Sequence, residues 1–116
     1  MREADKDLNR LQHMLESIHN VNKFMDGMTR ADLDENPMLY YAVVKNIEIV
    51  GEAAYMLTPG FISAHPETPW KFIIKMRHIL VHGYYQIEAD QLYNVYTEDL
   101  PILLPQIEAY IKELLP

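Results

Sequence analysis

Residues 68–84, which read TPWKFIIKMRHILVHGY, carry the strongest indication of secondary structure in this chain. Thr68 followed by Pro69 has the pattern of an N-cap and a first helical residue, and Gly83 is typical of a helix end. Between them, hydrophobic residues recur every three or four positions, as they do on one face of an α-helix. The stretch therefore predicts a helix that ends at about His82.

Hydrophobic residues at the same helical spacing run through the rest of the chain. They predict a first helix over about residues 3–27, a second from Pro37 to about Thr58, and a last helical region over about residues 89–115. Gly51, in the second predicted helix, is expected to allow close packing against a neighbouring helix. The fold class predicted from these patterns is all-α.

Capping and proline signals divide these helices. Asn36 is the expected N-cap of the second helix, and the polar stretch Thr29–Pro37 is the expected break before it. Pro101 and Pro105 each lack a backbone donor, so we expect a break or kink there, with Thr97 as the cap of a separate final helix. Because the connections are short, the prediction is an up-down antiparallel bundle of four to five helices.

The composition fits an intracellular globular protein. With 116 residues and a mass of 13.6 kDa, the chain suits one domain over residues 1–116. It has no cysteine, which excludes disulfides and thiolate metal sites. The N-terminus has no apolar stretch of a secretory signal, and no apolar run approaches the ~20 residues that cross a bilayer. We therefore expect a cytoplasmic protein without a membrane partner.

Charge is unevenly distributed along the chain. The net charge of −7 disfavours general binding to nucleic-acid backbones, because an acidic surface repels phosphates. Residues 65–87, however, hold Lys71, Lys75 and Arg77 against Glu67 alone. This local excess of positive charge can localise a phosphodiester, with Lys71 and Lys75 as candidate substrate-binding residues.

The helix predicted within residues 68–84 has two different faces. One face carries a stripe expected in the core: Phe72, Ile73, Met76, Ile79 and Leu80. The other carries Lys71, Lys75, Arg77, His78 and His82, with Ile74 and Val81 among them. Because β-branched aliphatic residues are rare on a solvated face, Ile74 and Val81 indicate a protein contact, most simply with a second copy of the chain. The sequence therefore predicts a homodimer that brings two copies of Arg77 and His82 together.

Arg77, His82 and His78 have the chemistry of metal-free RNA cleavage. That reaction needs a base for the ribose 2′-hydroxyl, an acid for the leaving oxygen and a cation for the charge that grows on the phosphoryl oxygens. Imidazole can serve as base or acid because its free pKa of ~6.5 lies near cellular pH, and arginine binds phosphate through a planar fork of donors. We predict that Arg77 stabilises the transition state, His82 transfers a proton and His78 assists, with no metal and no cofactor.

The segment from Trp70 to Tyr85 resembles the HepT-like members of the HEPN (higher eukaryote and prokaryote nucleotide-binding) superfamily, as do Ile47–Ala54 before it and Glu98–Pro101 after it. The family signature, Arg-x-x-x-x-His-x-Tyr, is met by Arg77, His82 and Tyr84. The likeness covers nearly the whole chain in element order and length. One position departs from it, since the residue after the motif arginine is very often asparagine in the family and is His78 here.

HepT-like proteins are toxins of bacterial and archaeal toxin–antitoxin pairs, and the resemblance implies a type VII toxin. It implies a helical dimer with a metal-independent RNase site composed from both subunits, acting on RNA such as tRNA or mRNA. It also implies a partner nucleotidyltransferase antitoxin, which transfers AMP onto the motif tyrosine, here Tyr84, and so blocks the RNase. The added bulk and negative charge would repel RNA from the phosphate-binding cations.

Two other functions remain open at this point: a non-catalytic helical subunit that binds and regulates a nucleotidyltransferase, and a structural dimer with an incidental basic region. Local alternatives are open as well. Arg77 can pair with a carboxylate of a neighbouring helix, Glu48 or Glu52, of which Glu52 could also reach the site as a secondary polar group. His78 and His82 have the i,i+4 spacing of zinc ligands.

Overall fold

The protein consists of long helices joined by short ones. A computed structural model describes residues 2–83 and 88–116. The helices are, in chain order, α1 (Glu3–Met25), α2 (Arg30–Glu35), α3 (Pro37–Tyr55), α4 (Pro59–Ala64), α5 (Trp70–Gly83), α6 (Ala89–Asn94) and α7 (Leu100–Leu114). A π-helical turn at Val95–Asp99 joins α6 to α7, so that the two form one long segment beside α1, α3 and α5. Over the described ranges there is no β-strand, which confirms the all-α prediction.

Neighbouring long helices run antiparallel, as predicted for an up-down bundle. Asp7, near the start of α1, accepts hydrogen bonds from the Thr58 amide (2.9 Å) and the Thr58 hydroxyl (2.7 Å), just beyond the end of α3. Farther along α1, the Asn20 amide group donates to Oδ1 of Asn46 in the middle of α3 (3.1 Å). Later residues of α1 therefore pair with earlier residues of α3, so the two helices are antiparallel.

The other long segments continue this arrangement. Gly51 of α3 lies against Arg77 of α5, and Val44, two turns earlier on α3, borders the same groove as Leu80, which lies later on α5. The segment α6–α7 packs on α1 and also reaches the start of α5, where the Thr68 hydroxyl donates to Oε1 of Gln106 (2.8 Å). The bundle thus contains four long segments, within the predicted four to five.

The core lies between these segments. Its fully buried side chains come from all of them and include Leu11, Met14, Ile18, Val21, Met25, Val43, Leu80, Leu92 and Ile107. Each fully buried aliphatic side chain of this size contributes about 1.5–3 kcal/mol to folding. Among the helices described, none combines the length and the apolar character that a bilayer span requires.

The connections before and after α3 each contain a short helix. Thr29 starts α2 through a capping box with Asp32, so the polar stretch after α1 is more than a break. Thr58 starts α4, because its hydroxyl accepts a hydrogen bond of 3.3 Å from the Phe61 amide. Six residues hold fewer than two helical turns, too few for a hydrophobic period to show in the sequence. The predicted cap at Asn36 is confirmed by its side chain, which accepts from the Leu39 amide at 3.2 Å.

Of the break or kink predicted in the last helical region, the break is wrong. The chain stays helical from Ala89 to Leu114, and the π-helical turn marks the irregularity. Pro101 lies directly after this turn, at the start of α7, and Pro105 lies inside α7. Thr97 does not cap a helix, because its hydroxyl donates to the Tyr93 carbonyl one turn earlier (3.0 Å).

The core stripe predicted for α5 is only partly correct. Ile73 and Leu80 are buried together with Trp70, but Phe72 and Ile79 are 41% and 36% exposed. The latter two border a groove of about 530 Å³ between α5 and α6. The reason is the close approach of α5 to α3, which buries the side of α5 that faces α3 and leaves the opposite side open.

Candidate functional site

Arg77 is held at the seam where α3 and α5 come close together. Gly51 makes this approach possible, since a Cβ atom there would overlap the Cβ of Arg77 and lie 3.0 Å from the carbonyl oxygen of Ile73. The close packing predicted for Gly51 is therefore confirmed. As a consequence, Arg77 leaves the backbone of α5 beside α3, and not on the face opposite the core stripe, where it was predicted.

The Arg77 guanidinium has two partners on α3. Its Nε atom lies 2.6 Å from Oε2 of Glu52, and its Cζ atom lies 5.2 Å from the centre of the Tyr55 ring. Nε is buried and has no aligned hydrogen-bond acceptor among the described residues, so the contact with Glu52 is an ion pair between charges. The Arg77 side chain is 27% exposed, so that a ligand can still reach part of it. We call Glu52, Tyr55 and Arg77 the seam site.

Of the two carboxylates expected near Arg77, Glu52 is the partner. Glu48, one turn earlier on α3, instead pairs with Lys45 at 3.4 Å. Tyr55 was not anticipated as a site residue. Its position three residues after Glu52 puts it on the same face of α3, which is the signal that could have found it.

His78 and His82 lie together on the exposed side of α5. Their ring centres are 4.7 Å apart, with the ring planes at 56°. Lys71 and Lys75 continue the same line toward the start of the helix, and all four side chains are exposed. Among the residues that the structure describes, no three His, Asp or Glu side chains are placed to hold a metal ion. We call Lys71, Lys75, His78 and His82 the basic stripe.

The seam site and the basic stripe lie on different sides of α5. Arg77 and His82 are separated by five residues, which corresponds to about 140° around a helix. Ile74 and Val81 lie between the two on the helix surface, and both are partly buried. The structure thus brings Arg77 together with α3, and His82 together with His78, as two separate groups on one helix.

The predicted end of α5 lies at the edge of the described residues. Gly83 is helical and is the last residue described before residue 84, so its role as a helix stop stays a prediction. Tyr84, the expected acceptor of AMP, lies outside the described residues, as does Tyr85.

Comparison with known proteins shows to which family this arrangement belongs. The sequence model of the family described as "Ribonuclease HepT-like" matches residues 14–112, a range that includes the seam site and the basic stripe. The chain belongs to the HepT-like ribonuclease family.

Relatives of this HepT-like chain match it over most of their own length. A candidate RNase of Methanocaldococcus jannaschii is 33% identical over 98 residues, which is 84% of this chain and 90% of the relative. A candidate HepT ribonuclease of Thermococcus cleftensis is 30% identical over 108 residues, or 93% of this chain and 96% of the relative. A candidate RNase of Caldanaerobacter subterraneus subsp. tengcongensis is 31% identical over 105 residues, or 90% of each. No solved structure gives a significant match.

This HepT-like chain has a second group of titratable residues, between α4 and α7. Nδ1 of His65 lies 2.7 Å from the Phe61 carbonyl oxygen, and its Nε2 lies 3.0 Å from Oε2 of Glu113. Because both ring nitrogens face acceptors, only the doubly protonated imidazole donates to both. Burial opposes that charge, but the hydrogen bonds to Phe61 and Glu113 and the nearby carboxylates outweigh it and raise the pKa of His65.

Tyr110 completes this group. Its hydroxyl donates to Oε1 of Glu67 (2.6 Å) and contacts the Thr68 hydroxyl. Burial, together with the hydrogen bond to Glu67, raises the pKa of Tyr110 to about 12, so the phenol stays protonated. We call His65, Glu67, Thr68, Tyr110 and Glu113 the α4–α7 cluster. No local sequence pattern indicates this cluster, because the residues that pair across it lie more than 40 positions apart.

Proposed function

We propose that this protein is a metal-independent endoribonuclease toxin of a type VII toxin–antitoxin pair, formed by one HepT-like domain that works as a cytoplasmic homodimer. In this proposal it cleaves RNA, such as tRNA or mRNA, with Arg77, His82 and His78. Membership of the ribonuclease family supports RNA cleavage in general. In this proposal the seam site and the basic stripe are two half-sites, and their placement on different sides of α5 supports a site shared by two subunits.

The separation of the two half-sites is the observation on which the composite site depends. Ile74 and Val81 lie between Arg77 and His82 on the surface of α5. A second copy that packs on these aliphatic residues around a two-fold axis would place its own basic stripe beside the first Arg77. The same contact, repeated by symmetry, would form two complete sites at once.

Each half-site has a distinct chemical role. A guanidinium carries five N–H donors in a fixed fork, and one carboxylate engages two of them at most. The remaining donors of Arg77 can therefore bind the scissile phosphate and stabilise the charge of the transition state. His82 then transfers a proton, and His78, whose ring centre is 4.7 Å away, orients it or binds substrate. Lys71 and Lys75 bind flanking phosphates.

The basic stripe is the part of this acidic protein best suited to bind phosphate. The net charge of −7 repels RNA from most of the surface, whereas Lys71 and Lys75 are exposed along one line with the two histidines. RNA binding of this kind weakens as salt rises, because each neutralised phosphate releases counterions.

We further propose regulation by a cognate nucleotidyltransferase, the antitoxin, which transfers AMP onto Tyr84. In the sequence this residue follows His82 by two positions. A phosphodiester-linked AMP would add a negative charge and a large group this close to His82 along the chain, and both oppose RNA binding. Intact mass after coexpression with the antitoxin tests this: a gain of one or more AMP units, abolished by Tyr84→Phe, is expected.

Cleavage of total tRNA in EDTA tests the enzymatic proposal. Wild-type protein is expected to cut, whereas Arg77→Ala and His82→Ala are expected to be inactive. Matched controls are Arg30→Ala, which removes an exposed arginine paired with Asp90 at 2.8 Å, and His19→Ala on α1, and both should cut normally. Absence of cleavage by unmodified wild type would favour the alternative function, a non-catalytic subunit that binds and regulates a nucleotidyltransferase.

A further inference from the structure

Glu52 occupies a position that the roles of Arg77 and His82 leave unexplained. Its Oε2 atom lies 2.6 Å from Nε of Arg77, and its side chain is 49% exposed. A phosphate bound by the remaining donors of Arg77 would therefore lie next to this carboxylate. A carboxylate at this place repels an anionic substrate and weakens its binding. A part in the reaction would explain why the site contains it.

The in-line geometry of the reaction favours a base on the α3 side of the phosphate. When the ribose 2′-oxygen attacks phosphorus, the attacking and leaving oxygens lie roughly in line on opposite sides of the phosphate. The base and the acid must then also lie on opposite sides. Glu52 accompanies Arg77, whereas in the composite site His82 arrives with the basic stripe of the other subunit.

Other groups near Arg77 fit the role of base less well. Glu48, one turn from Glu52, is engaged by Lys45 at 3.4 Å. Tyr55 offers the face of its ring to the guanidinium, which is a cation–π contact. His78 belongs to the same half-site as His82, so both imidazoles approach the phosphate from the same side.

We infer that Glu52 is the general base of RNA cleavage, and that His82 of the other subunit is the general acid. The Glu52 carboxylate takes the proton of the 2′-hydroxyl as O2′ forms a bond to phosphorus. The bond from phosphorus to O5′ breaks, and O5′ takes a proton from the His82 imidazolium. The products are a 2′,3′-cyclic phosphate and a 5′-hydroxyl, and no water, metal or other reactant is consumed. This inference rests on the proposed function.

Substitution by glutamine separates a base from a residue that only positions Arg77. Glu52→Gln keeps the size of the side chain but removes the proton acceptor and the negative charge. As a general base, Glu52 is expected to contribute about 10²–10⁴-fold to kcat. KM for RNA should be unchanged or lower, because a repulsive charge is gone. A positioning role would instead raise KM, since Arg77 would bind the phosphate less well.

Glu48→Gln is the matched control, since it makes the same change one turn away on α3 and should leave kcat within about threefold of wild type. Glu52→Asp should fall between wild type and Glu52→Gln, because it keeps a carboxylate but withdraws it by one methylene. Thermal unfolding of each variant shows whether the fold is retained.

A substrate with sulfur in place of the 5′-bridging oxygen assigns the two roles. The probe is a synthetic RNA that reproduces the strongest wild-type cleavage site in tRNA. Because a thiolate leaves without a proton, the sulfur substrate should restore most of the activity of His82→Ala and none of that of Glu52→Gln. Restoration of Glu52→Gln by sulfur, or Glu52→Gln activity within about threefold of wild type on ordinary RNA, would overturn the inference. An inactive wild type would overturn the proposed function itself, and the base assignment with it.

Discussion

The seam site and the α4–α7 cluster contain similar residue types but treat them differently. Each combines a tyrosine with a carboxylate and a cationic or ionisable nitrogen. In the α4–α7 cluster the His65 side chain is 11% exposed, and its two nitrogens both face acceptors. At the seam, Arg77 Nε has no aligned acceptor among the described residues, and the Arg77 side chain is 27% exposed. Saturated, enclosed polar groups stabilise a fold, whereas open and incompletely bonded ones can still bind a ligand.

This comparison predicts two separate effects: changes at the seam alter activity, and changes in the α4–α7 cluster alter stability. Of the variants that compare the two regions, Arg77→Lys is expected to show the largest effect. Lysine keeps the positive charge but loses the fork that matches two phosphate oxygens. We expect kcat for tRNA cleavage in EDTA to fall by about 10²–10³-fold.

The free energy of unfolding of Arg77→Lys should stay within about 1 kcal/mol of wild type, because the ion pair with Glu52 is partly exposed. Urea denaturation measures this. Full activity of Arg77→Lys, or loss of activity only through unfolding, would remove the distinction between the two regions.

A second prediction concerns the sharing of the site between subunits. Arg77→Ala and His82→Ala proteins, each inactive alone, are unfolded together and refolded as a mixture. Half of the dimers are then mixed, and in each mixed dimer one of the two sites has both an intact Arg77 and an intact His82. Activity should return to about a quarter of the wild-type value for an interface with two-fold symmetry.

Refolding each variant separately before mixing is the control, and it should leave the sample inactive unless subunits exchange. Failure of the co-refolded mixture to regain activity, with dimers present by gel filtration, would place the whole site within one subunit.

The sequence predicted the seam better than the cluster, for physical reasons. Gly51, Glu48 and Glu52 lie within about one turn of α3, so the sequence indicated the close approach at Gly51 and two possible partners for Arg77. It placed Arg77 itself on the wrong face of α5 and did not indicate Tyr55. The outward placement of Phe72 and Ile79 was missed, because a helical wheel shows which residues lie together but not the direction from which neighbours pack. His65 and Glu113 lie 48 residues apart and meet only through the tertiary fold. No local pattern could have paired them.

In the α4–α7 cluster, Tyr110→Phe should reduce stability without changing activity. The substitution removes the hydroxyl that donates to Glu67 at 2.6 Å and leaves the Thr68 hydroxyl without that contact. We expect a loss of about 1–3 kcal/mol in the free energy of unfolding. Tyr93→Phe is the matched control, since this partly buried tyrosine packs on the Tyr96 ring, with centres 5.9 Å apart. Reduced kcat of a folded Tyr110→Phe protein would contradict the proposed division.

The smallest predicted effect is the pH dependence of the contact between His65 and Glu113. The pKa of His65 is raised in the folded state, so the contact stabilises the fold fully below the unfolded-state pKa of about 6.5 and loses this effect as pH rises through the folded-state value. At pH 5.5, the free energy of unfolding measured in urea should therefore be greater for wild type than for Glu113→Gln. The difference should be less than about 1 kcal/mol because Glu113 is 55% exposed, and it should disappear by pH 8.5. Glu108→Gln, an exposed change on the same helix, should show no such trend. If the difference between wild type and Glu113→Gln instead grew toward alkaline pH, His65 would be neutral in the fold.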